Sequence, residues 1–405
     1  IGYANIPFVI GEQGSKILFA LLFAGFAGRF TYITVAEMMD DLLVRDRVSR
    51  AIIGILTACI MIAWIGGQVK GLGDLFAAFA GTNPVPMMIF FSLVFILYTC
   101  LGGIYSVVWT ELIQGGMIIA IALFFYYQVF AKINFSIGEL ESRLNEIGAS
   151  HLAQMNLSVS EVLTLFITGC FGILAAQVYW QRCFAARDSR TASRAMLYSG
   201  LVAVVFTIMT TLVGLVAKVQ NPSMDPSQAM PWMIMNQMSS FTVLLLFTLV
   251  FVAAISSAAS LLHSASVIIV NDLIRPLAPK KQETELVRYA RLLVVLVGIF
   301  SVGAALWADS IIGLFSLAYT MAGGGVIPVM LVGLLWKRQK GQPFTMGVQN
   351  STLSPWGARI GLLAGSICSL TLGILWGVLI SAVLAILLSR MIPGANRESA
   401  KNVHG

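Results

Sequence analysis

The sequence has 405 residues, of which 58% are hydrophobic and 11% are charged. Soluble domains carry about 25% charged residues, so this composition excludes a soluble enzyme, a nucleic-acid-binding protein and a disordered chain. The net charge of +7 is typical of a membrane protein whose basic residues collect in cytoplasmic loops. Five scattered cysteines without a CxxC pair give no pattern for a metal centre or a disulfide framework.

Uncharged apolar runs of about 20 residues recur along the chain, and this length crosses a bilayer as a helix. The first run lies between Ile1 and Phe30 and is interrupted by Glu12 and Lys16. The last, 357–391, is too long for one span, so we predict two helices that meet near Gly373. The pattern predicts an all-α polytopic membrane bundle with about eleven spans. The other runs are 50–69, 86–101, 106–131, 159–181, 196–217, 239–270, 289–308 and 311–336.

The basic residues predict the orientation of these spans. If the loop after the first span is cytoplasmic and the loops then alternate, most of the 25 lysines and arginines fall on the inner side. We therefore expect a multi-pass protein of the plasma (inner) membrane with a cytoplasmic C-terminus. One transmembrane transporter domain is predicted over 1–392, followed by a short cytoplasmic tail over 393–405.

Polar residues inside apolar runs are costly and are therefore functional hypotheses. In the segment 251–272, the carbonyl of Ala253 and the hydroxyls of Ser256 and Ser257 are spaced to lie together on a helix. They offer three uncharged oxygens to a small hard cation, which prefers oxygen ligands. The alternative is helix packing, because small residues let membrane helices approach closely.

The segment 159–181 combines glycines with polar and aromatic residues. Gly169 and Gly172 weaken the helix, and Gln177 and Trp180 follow them. This pattern is typical of a discontinuous helix that presents free backbone groups to a substrate or ion. The alternative is an ordinary helix that ends in an interfacial aromatic belt.

Further polar residues lie in other spans. Glu111 enters a span after a Gly-Gly turn, where it could assist ion exit and gating. The alternative is a carboxylate at the start of a helix, which the positive end of the helix dipole stabilises. Gln68 and Tyr319 lie within two other spans. Close to Tyr319, the run Gly323–Gly325 followed by Pro328 predicts a hinge rather than a straight helix.

Five segments together resemble the sodium/solute symporter family, which includes the sodium-coupled proline, pantothenate, monocarboxylate and glucose transporters and the choline transporters. Within them, Glu111 stands where the family usually has Asp. The segments fall in the family's order with the family's spacing. They are ITVAEMM at 33–39, GGIYSVVWTELIQ at 102–114, AAQVYWQRCFAARD at 175–188, AAISSAASLLHSASVIIVND at 253–272 and GLLWKR at 333–338.

The resemblance implies a LeuT-type fold of five-plus-five inverted repeats with extra C-terminal helices, working by alternating access around a midplane site. It implies that Ala253, Ser256 and Ser257 provide part of a sodium site. It also implies that backbone carbonyls of a first, broken core helix complete that site. That helix is not recognisable in this sequence, so we expect the intact gene product to be longer.

The resemblance further implies that Gln68, Gln177, Trp180 and Tyr319 face the solute. The predicted function is symport of sodium with a small organic solute, either a carboxylate or a zwitterion such as an amino acid, a monocarboxylate or a pantothenate-like acid. No cofactor is predicted beyond the transported sodium ion, and no enzymatic activity is expected. The predicted partners are the solute, sodium and the lipid bilayer, with no nucleic acid, and the sequence does not predict the oligomeric state. A proton-coupled or uncoupled transporter of the same fold and a membrane solute sensor remain as alternatives.

Overall fold

A computed structural model describes residues 2–101, 104–278 and 281–393, and the side chains of residues 101, 104–111, 227 and 283 lie outside the described part. Across the described residues the chain is helical, without a strand and with two isolated bridge pairs in the loop 336–354. The helices are α1 (Tyr3–Ala27), α2 (Val35–Met39), α3 (Arg47–Ala80), α4 (Pro84–Leu101), α5 (Ile104–Ala131), α6 (Ile137–Glu146), α7 (Val159–Ala175), α8 (Gln177–Phe184), α9 (Ser189–Gln220), α10 (Ala229–Gln237), α11 (Ser240–Leu277), α12 (Glu283–Trp307), α13 (Ile311–Leu335), α14 (Pro355–Leu372) and α15 (Ile374–Met391).

The long helices account for the predicted membrane spans. Within the described ranges, eight helices are long and apolar enough to cross a membrane, and α7 with α8 forms a ninth, bent span. The eight are α1, α3, α5, α9, α11, α12, α13 and α15. The two remaining predicted segments correspond to α4 and α14, each of 18 residues. The prediction of an all-α membrane bundle is therefore confirmed.

The boundary between α14 and α15 falls where the sequence predicts it. Gly373 separates the two helices with φ 95° and ψ 156°. This conformation is essentially restricted to glycine, because a Cβ would collide with the backbone. The long apolar stretch is thus two spans joined by a single residue, with tight packing between them.

The glycine run of α13 does not form the predicted hinge. The helix continues through Gly323–Gly325 and Pro328 to Leu335. These glycines are instead places where other helices come close. A Cβ at Gly324 would lie 1.8 Å from the Ser369 hydroxyl oxygen of α14. In this conformation the helix is not interrupted at the predicted hinge, and the missing side chains provide room for neighbouring helices.

The bundle has two ends that differ in charge. We call the end at which α3 begins the basic side, because arginines flank the helices there, and the opposite end the far side. The helices α1, α11 and α13 run from the far side to the basic side, whereas α3 and α9 run the other way. In the bundle interior, α13 packs against α3, α7, α14 and α15, while α1 packs against α7 and α9.

The start of α3 is fixed on the basic side by an ion pair with α14. Arg359 donates to both carboxylate oxygens of Asp46, at 2.8 and 2.6 Å. Burial acts to raise the pKa of Asp46, but hydrogen bonds from Arg359 and from Ser49 outweigh it and lower the pKa to about 2. Asp46 also caps α3 by accepting from the Ser49 backbone N–H.

Candidate transport site

The three predicted sodium residues lie near the middle of α11, and two of them, Ala253 and Ser257, lie on a face that is directed at the broken helix. Ala253, Ser257, Ser260 and Ser264 are spaced so that they lie on one side of the helix. Ser264 Oγ donates to Gln181 Oε1 of α8 at 3.0 Å, which shows where this side points. We call these four residues the α11 stripe. Ser257 lies about 10 Å from Ser264 along the helix axis, towards the far side.

The oxygens of the predicted sodium site are close to one another. Ser256 Oγ donates to the carbonyl of Ala253 at 3.1 Å, and Ser260 Oγ donates to the carbonyl of Ser257 at 3.0 Å. Ser256 is buried, whereas Ala253 and Ser257 are partly exposed. The structure thus brings the three predicted residues together. Because Ser256 is already hydrogen-bonded without an ion, the geometry is compatible with packing as well as with sodium binding.

The discontinuous helix predicted from the sequence is present. α7 ends at Ala175, Ala176 is extended with ψ 115°, and α8 begins at Gln177 at an angle of 42° to α7. The indole N–H of Trp180 donates to the carbonyl of Leu174 at 2.7 Å. This bond satisfies a carbonyl near the break, where the regular helical donor is lost.

Gln177 does not face a cavity in this conformation. Its Oε1 accepts from the backbone N–H of Val35 at 2.9 Å, and its Nε2 donates to the carbonyl of Ile33 at 2.9 Å. The side chain is 1% exposed. The expectation that Gln177 contacts the solute is therefore not met in this conformation, because its amide is bonded to the loop before α2.

Trp180 is likewise part of the packing. It is fully buried, with its ring centroid 4.9 Å from that of Phe19 and 5.6 Å from that of Phe23. Its indole N–H is taken up by the helix break described above. The expectation of a solute contact is not met for Trp180 in this conformation, since the ring fills the space between α8 and α1.

Tyr319 belongs to a buried polar cluster that joins three helices. Its hydroxyl donates to Glu12 Oε1 of α1 at 2.6 Å and accepts from the indole N–H of Trp64 of α3 at 2.6 Å. The other oxygen of Glu12 accepts from Gln13 Nε2 at 3.1 Å. Gln68 is half-buried and lies one turn beyond Trp64 on α3. The structure therefore places Gln68 and Tyr319 in one region of the bundle.

Glu12 and Trp64 are the members of this cluster that the sequence reasoning did not select. The available signal was the interruption of the first apolar run by Glu12 and Lys16. An ionisable residue within a span is a functional hypothesis by default. Trp64 carried no such signal, because a tryptophan in an apolar run is most often packing.

A cavity of about 580 Å³ opens towards the far side, and Glu12 lies at its inner end. Its walls combine apolar residues of α1 and α13 with hydroxyls of α9. The lining residues include Asn5, Val9, Thr207, Thr211, Lys218 and Phe315. A mostly apolar cavity with a few polar groups at its base is the usual form of a small-molecule site.

A second polar cluster joins three segments of the chain on the basic side. Arg50 Nε lies 3.0 Å from Asp272 Oδ1, and Thr34 Oγ1 donates to the same oxygen at 2.7 Å. Asn271 Nδ2 donates to Glu37 Oε2 at 3.3 Å. We call these five residues the basic-side network. It connects the segment around α2 with α3 and α11, and the side chain of Asp272 is fully buried.

The remaining predicted residue, Glu111, lies in α5 among the side chains outside the described part. Its expected role in ion exit or gating therefore stays a prediction. Among the described residues, no group of three or more His, Cys, Asp or Glu side chains is arranged to hold a metal ion.

Comparison with known sequences gives a family and distant relatives. The family model described as the sodium:solute symporter family matches residues 2–347. The sodium/sialic acid symporter SiaT of Proteus mirabilis is 25% identical over 304 residues, covering 70% of this chain and 61% of that protein. The sodium/sialic acid symporter NanT of Aliivibrio fischeri is 23% identical over 290 residues, covering 67% and 57% respectively. The chain thus spans about three-fifths of the length of these curated relatives.

Comparison with solved structures supports the same fold. A structure described as the substrate-bound outward-open state of a Na+-coupled sialic acid symporter matches with a TM-score of 0.74 at 20% identity. The match covers 96% of this chain and 84% of that one. This likeness confirms the predicted LeuT-type fold. Together with the family match over most of its length, it identifies the chain as a member of the sodium:solute symporter family.

Proposed function

We propose that the protein is a sodium-coupled symporter that carries a small organic solute bearing a carboxylate. The observation that carries this proposal is the α11 stripe, which presents uncharged oxygens near the middle of the helix α11 and faces the broken helix α7/α8. Discontinuous helices at the midplane are where transporters of this kind bind ions and substrates. The relatives named sodium/sialic acid symporters make sialic acid the first solute to test.

Ala253, Ser256 and Ser257 are the proposed sodium ligands in this chain. They contribute a carbonyl and two hydroxyls, which are the oxygen types that a small hard cation prefers. A neutral ligand set suits a cation that must bind and leave in every cycle. The rival coupling ion, a proton, would require a titrating group at this position, and a serine pair does not supply one.

The conformation is that of an outward-facing carrier if the basic side is cytoplasmic. The cavity above Glu12 then opens to the outside, while the basic-side network closes the inner end. Binding of sodium and solute would favour the outward-facing conformation and then the occluded one. Such binding shifts the populations of conformations that already exist. The membrane potential would supply about 2.3 kcal/mol per charge for each 100 mV.

Within this scheme Gln68 remains a solute-facing candidate, because it is half-buried and lies one turn beyond Trp64 on α3. Tyr319 is fully buried and its hydroxyl is bonded to Glu12 and Trp64, so a solute contact by Tyr319 requires these bonds to open. Gln177 and Trp180 instead hold α8 in place, since their polar groups are bonded to the backbone of Ile33, Val35 and Leu174. Their effect on transport would come from the position of α8.

Uptake into proteoliposomes tests the function. The panel comprises labelled sialic acid, amino acids, monocarboxylates and pantothenate, each with an inward sodium gradient, an inward proton gradient, or neither. We expect sodium-stimulated accumulation of an acid from this panel. Accumulation that follows the proton gradient would contradict sodium coupling and leave the fold assignment intact. Binding of an acid without accumulation under any gradient would favour a sensor.

A further inference from the structure

Lys16 places a positive charge near the middle of the first membrane span. It lies on α1, four residues after Glu12, in a helix of 25 residues. A lysine at this depth is costly, so it usually has a compensating anion or a functional role. The groups around the ammonium group show whether Lys16 has a compensating anion or a functional role.

The groups that the ammonium group contacts directly are neutral, and the carboxylate of Glu12 reaches it only through the amide of Gln13. Its Nζ donates to Gln13 Oε1 at 2.6 Å and lies 5.4 Å from the centre of the Tyr179 ring. Glu12 is close in sequence, but its two oxygens accept from Tyr319 and from Gln13. Among the described residues no carboxylate forms an ion pair with Lys16. An ammonium group has three donors, so it retains capacity for an anionic acceptor.

Lys16 lies one helical turn beyond Glu12, which is at the inner end of the cavity. Asn5, Val9 and Glu12 line the cavity at helical spacing, and Lys16 continues the same face one turn deeper. Tyr179, which the ammonium group approaches, lies in the first turn of α8 just after the helix break. A solute that passes the inner end of the cavity therefore meets Lys16 beside the broken helix.

We propose that Lys16 recognises the carboxylate of the transported solute, which takes the place that Gln13 Oε1 occupies in this structure. Glu12, one turn closer to the far side, then accepts hydrogen bonds from hydroxyl or ammonium groups of the same molecule. The pair selects organic acids that also carry hydrogen-bond donors and discriminates against the corresponding esters. This inference rests on the proposed function and adds the residue that binds the solute's carboxylate.

The test compares an acid with its methyl ester as competitors for binding, using N-acetylneuraminate and lactate with their esters. The wild-type protein should prefer the acid. Lys16→Gln should reduce this preference by about tenfold to a hundredfold, the range expected for a charged hydrogen bond. Lys16→Arg should retain part of it. Lys70→Gln, which changes a half-buried lysine near the far end of α3, is the matched control and should leave the preference unchanged.

A merely structural role for Lys16 predicts a different result. Lys16→Gln would then weaken the binding of acid and ester equally and leave their ratio unchanged, which would overturn the proposal. Unchanged binding of both compounds would overturn it as well.

A second measurement does not depend on transport or on the variants. In the wild-type protein, each acid should slow the acetylation of Lys16 by an amine-reactive ester, read by mass spectrometry, and the methyl esters should not. Lys70 should react at the same rate throughout. Protection of Lys16 without sodium-driven uptake would leave the inference standing and contradict the proposed function. Uptake without protection by either acid would contradict the inference alone.

Discussion

At the scale of single residues, the two serines of the proposed sodium site are held differently. Ser256 is buried and its hydroxyl is bonded to the carbonyl of Ala253. Ser257 is partly exposed and lies on the α11 stripe, which faces α8. The hydroxyl of Ser257 is therefore the better probe of ion binding, since its removal leaves the internal bonding of α11 largely intact.

We predict that Ser257→Ala raises the sodium concentration for half-maximal uptake by about tenfold, because one oxygen ligand is lost. Ser266→Ala is the control. Ser266 also lies on α11, but its hydroxyl bonds to the carbonyl of His263 at 2.8 Å and it lies on the opposite side of the helix. Uptake measured against sodium concentration gives the result. An unchanged sodium dependence in Ser257→Ala would assign the serines to helix packing.

Gln177 and Gln68 offer a paired comparison of positioning and contact. We predict that Gln177→Ala speeds hydrogen exchange in the segment 33–39 by about tenfold or more, because the bonds to Ile33 and Val35 are lost. Gln68→Ala should leave this exchange unchanged and alter the half-saturation for solute instead. Exchange followed by mass spectrometry separates the two. Unaltered exchange in Gln177→Ala would mean that its bonds do not hold the loop.

At the scale of helices, the glycines of α13 show how closely the spans are fitted. Gly324→Ala would place its Cβ 1.8 Å from the Ser369 hydroxyl oxygen, so we predict a loss of about 1–3 kcal/mol in stability. Ser369→Gly in the same protein should restore much of it by removing the obstructing side chain.

Thermal unfolding in detergent measures this effect. Gly303→Ala in α12 is the control, because nothing lies within 4 Å of the position a Cβ would take there. It should not lower the unfolding temperature. Equal behaviour of the Gly324 and Gly303 variants would mean that α13 and α14 can separate at little cost.

The helices also show what the sequence predicts and where it stops. Apolar runs predict the spans because each helix must satisfy its own backbone in the membrane. The sequence predicts a broken helix in this segment but not the place of the break, because Gly169 and Gly172 lie within α7 and the chain breaks at Ala176. Nor does the sequence predict the close contact at Gly324, because a glycine can provide either flexibility or room for a neighbour, and only Ser369 of α14 decides between them.

The partners of buried polar residues are the least predictable part. Gln177 is identifiable as a polar residue that needs hydrogen bonds, but its partners Ile33 and Val35 come from a loop 144 and 142 residues earlier in the chain. The role expected from the family resemblance was therefore assigned to a side chain that the fold uses elsewhere. Glu12 was noticed only as an interruption of an apolar run, because its partner Tyr319 is 307 residues away.

At the scale of the whole molecule, the proposed symport by alternating access requires the basic side to open. In this structure the basic-side network holds that end together, and Arg50 is its central cation. Arg50 contacts Asp272 at 3.0 Å and Asp40 at 3.6 Å, and it also donates to the carbonyl of Asn271 at 3.0 Å. Opening must separate α3 from the end of α11.

Replacing Arg50 by a neutral residue should have a different effect on the basic side from replacing Asp272 by one. Arg50→Gln leaves the fully buried carboxylate of Asp272 without a cation, whereas Asp272→Asn leaves a cation that still contacts Asp40. An unpaired buried charge is strongly destabilising. We therefore predict that Arg50→Gln opens the basic side more than Asp272→Asn does, and that the double variant is less affected than Arg50→Gln alone.

A native cysteine reports this opening. Cys100 lines a cavity of about 370 Å³ beside Asn271, so its reaction with a membrane-impermeant maleimide added on the basic side should follow the network's state. Arg50→Gln should raise the labelling rate several-fold and also raise the external sodium concentration for half-saturation, because the outward-facing population falls. Cys368 lies four residues before the far-side end of α14, so it should not react in any variant and is the control for the sidedness of the reagent. Equal labelling of Cys100 in all variants would mean that the basic side is closed by packing rather than by this ion pair.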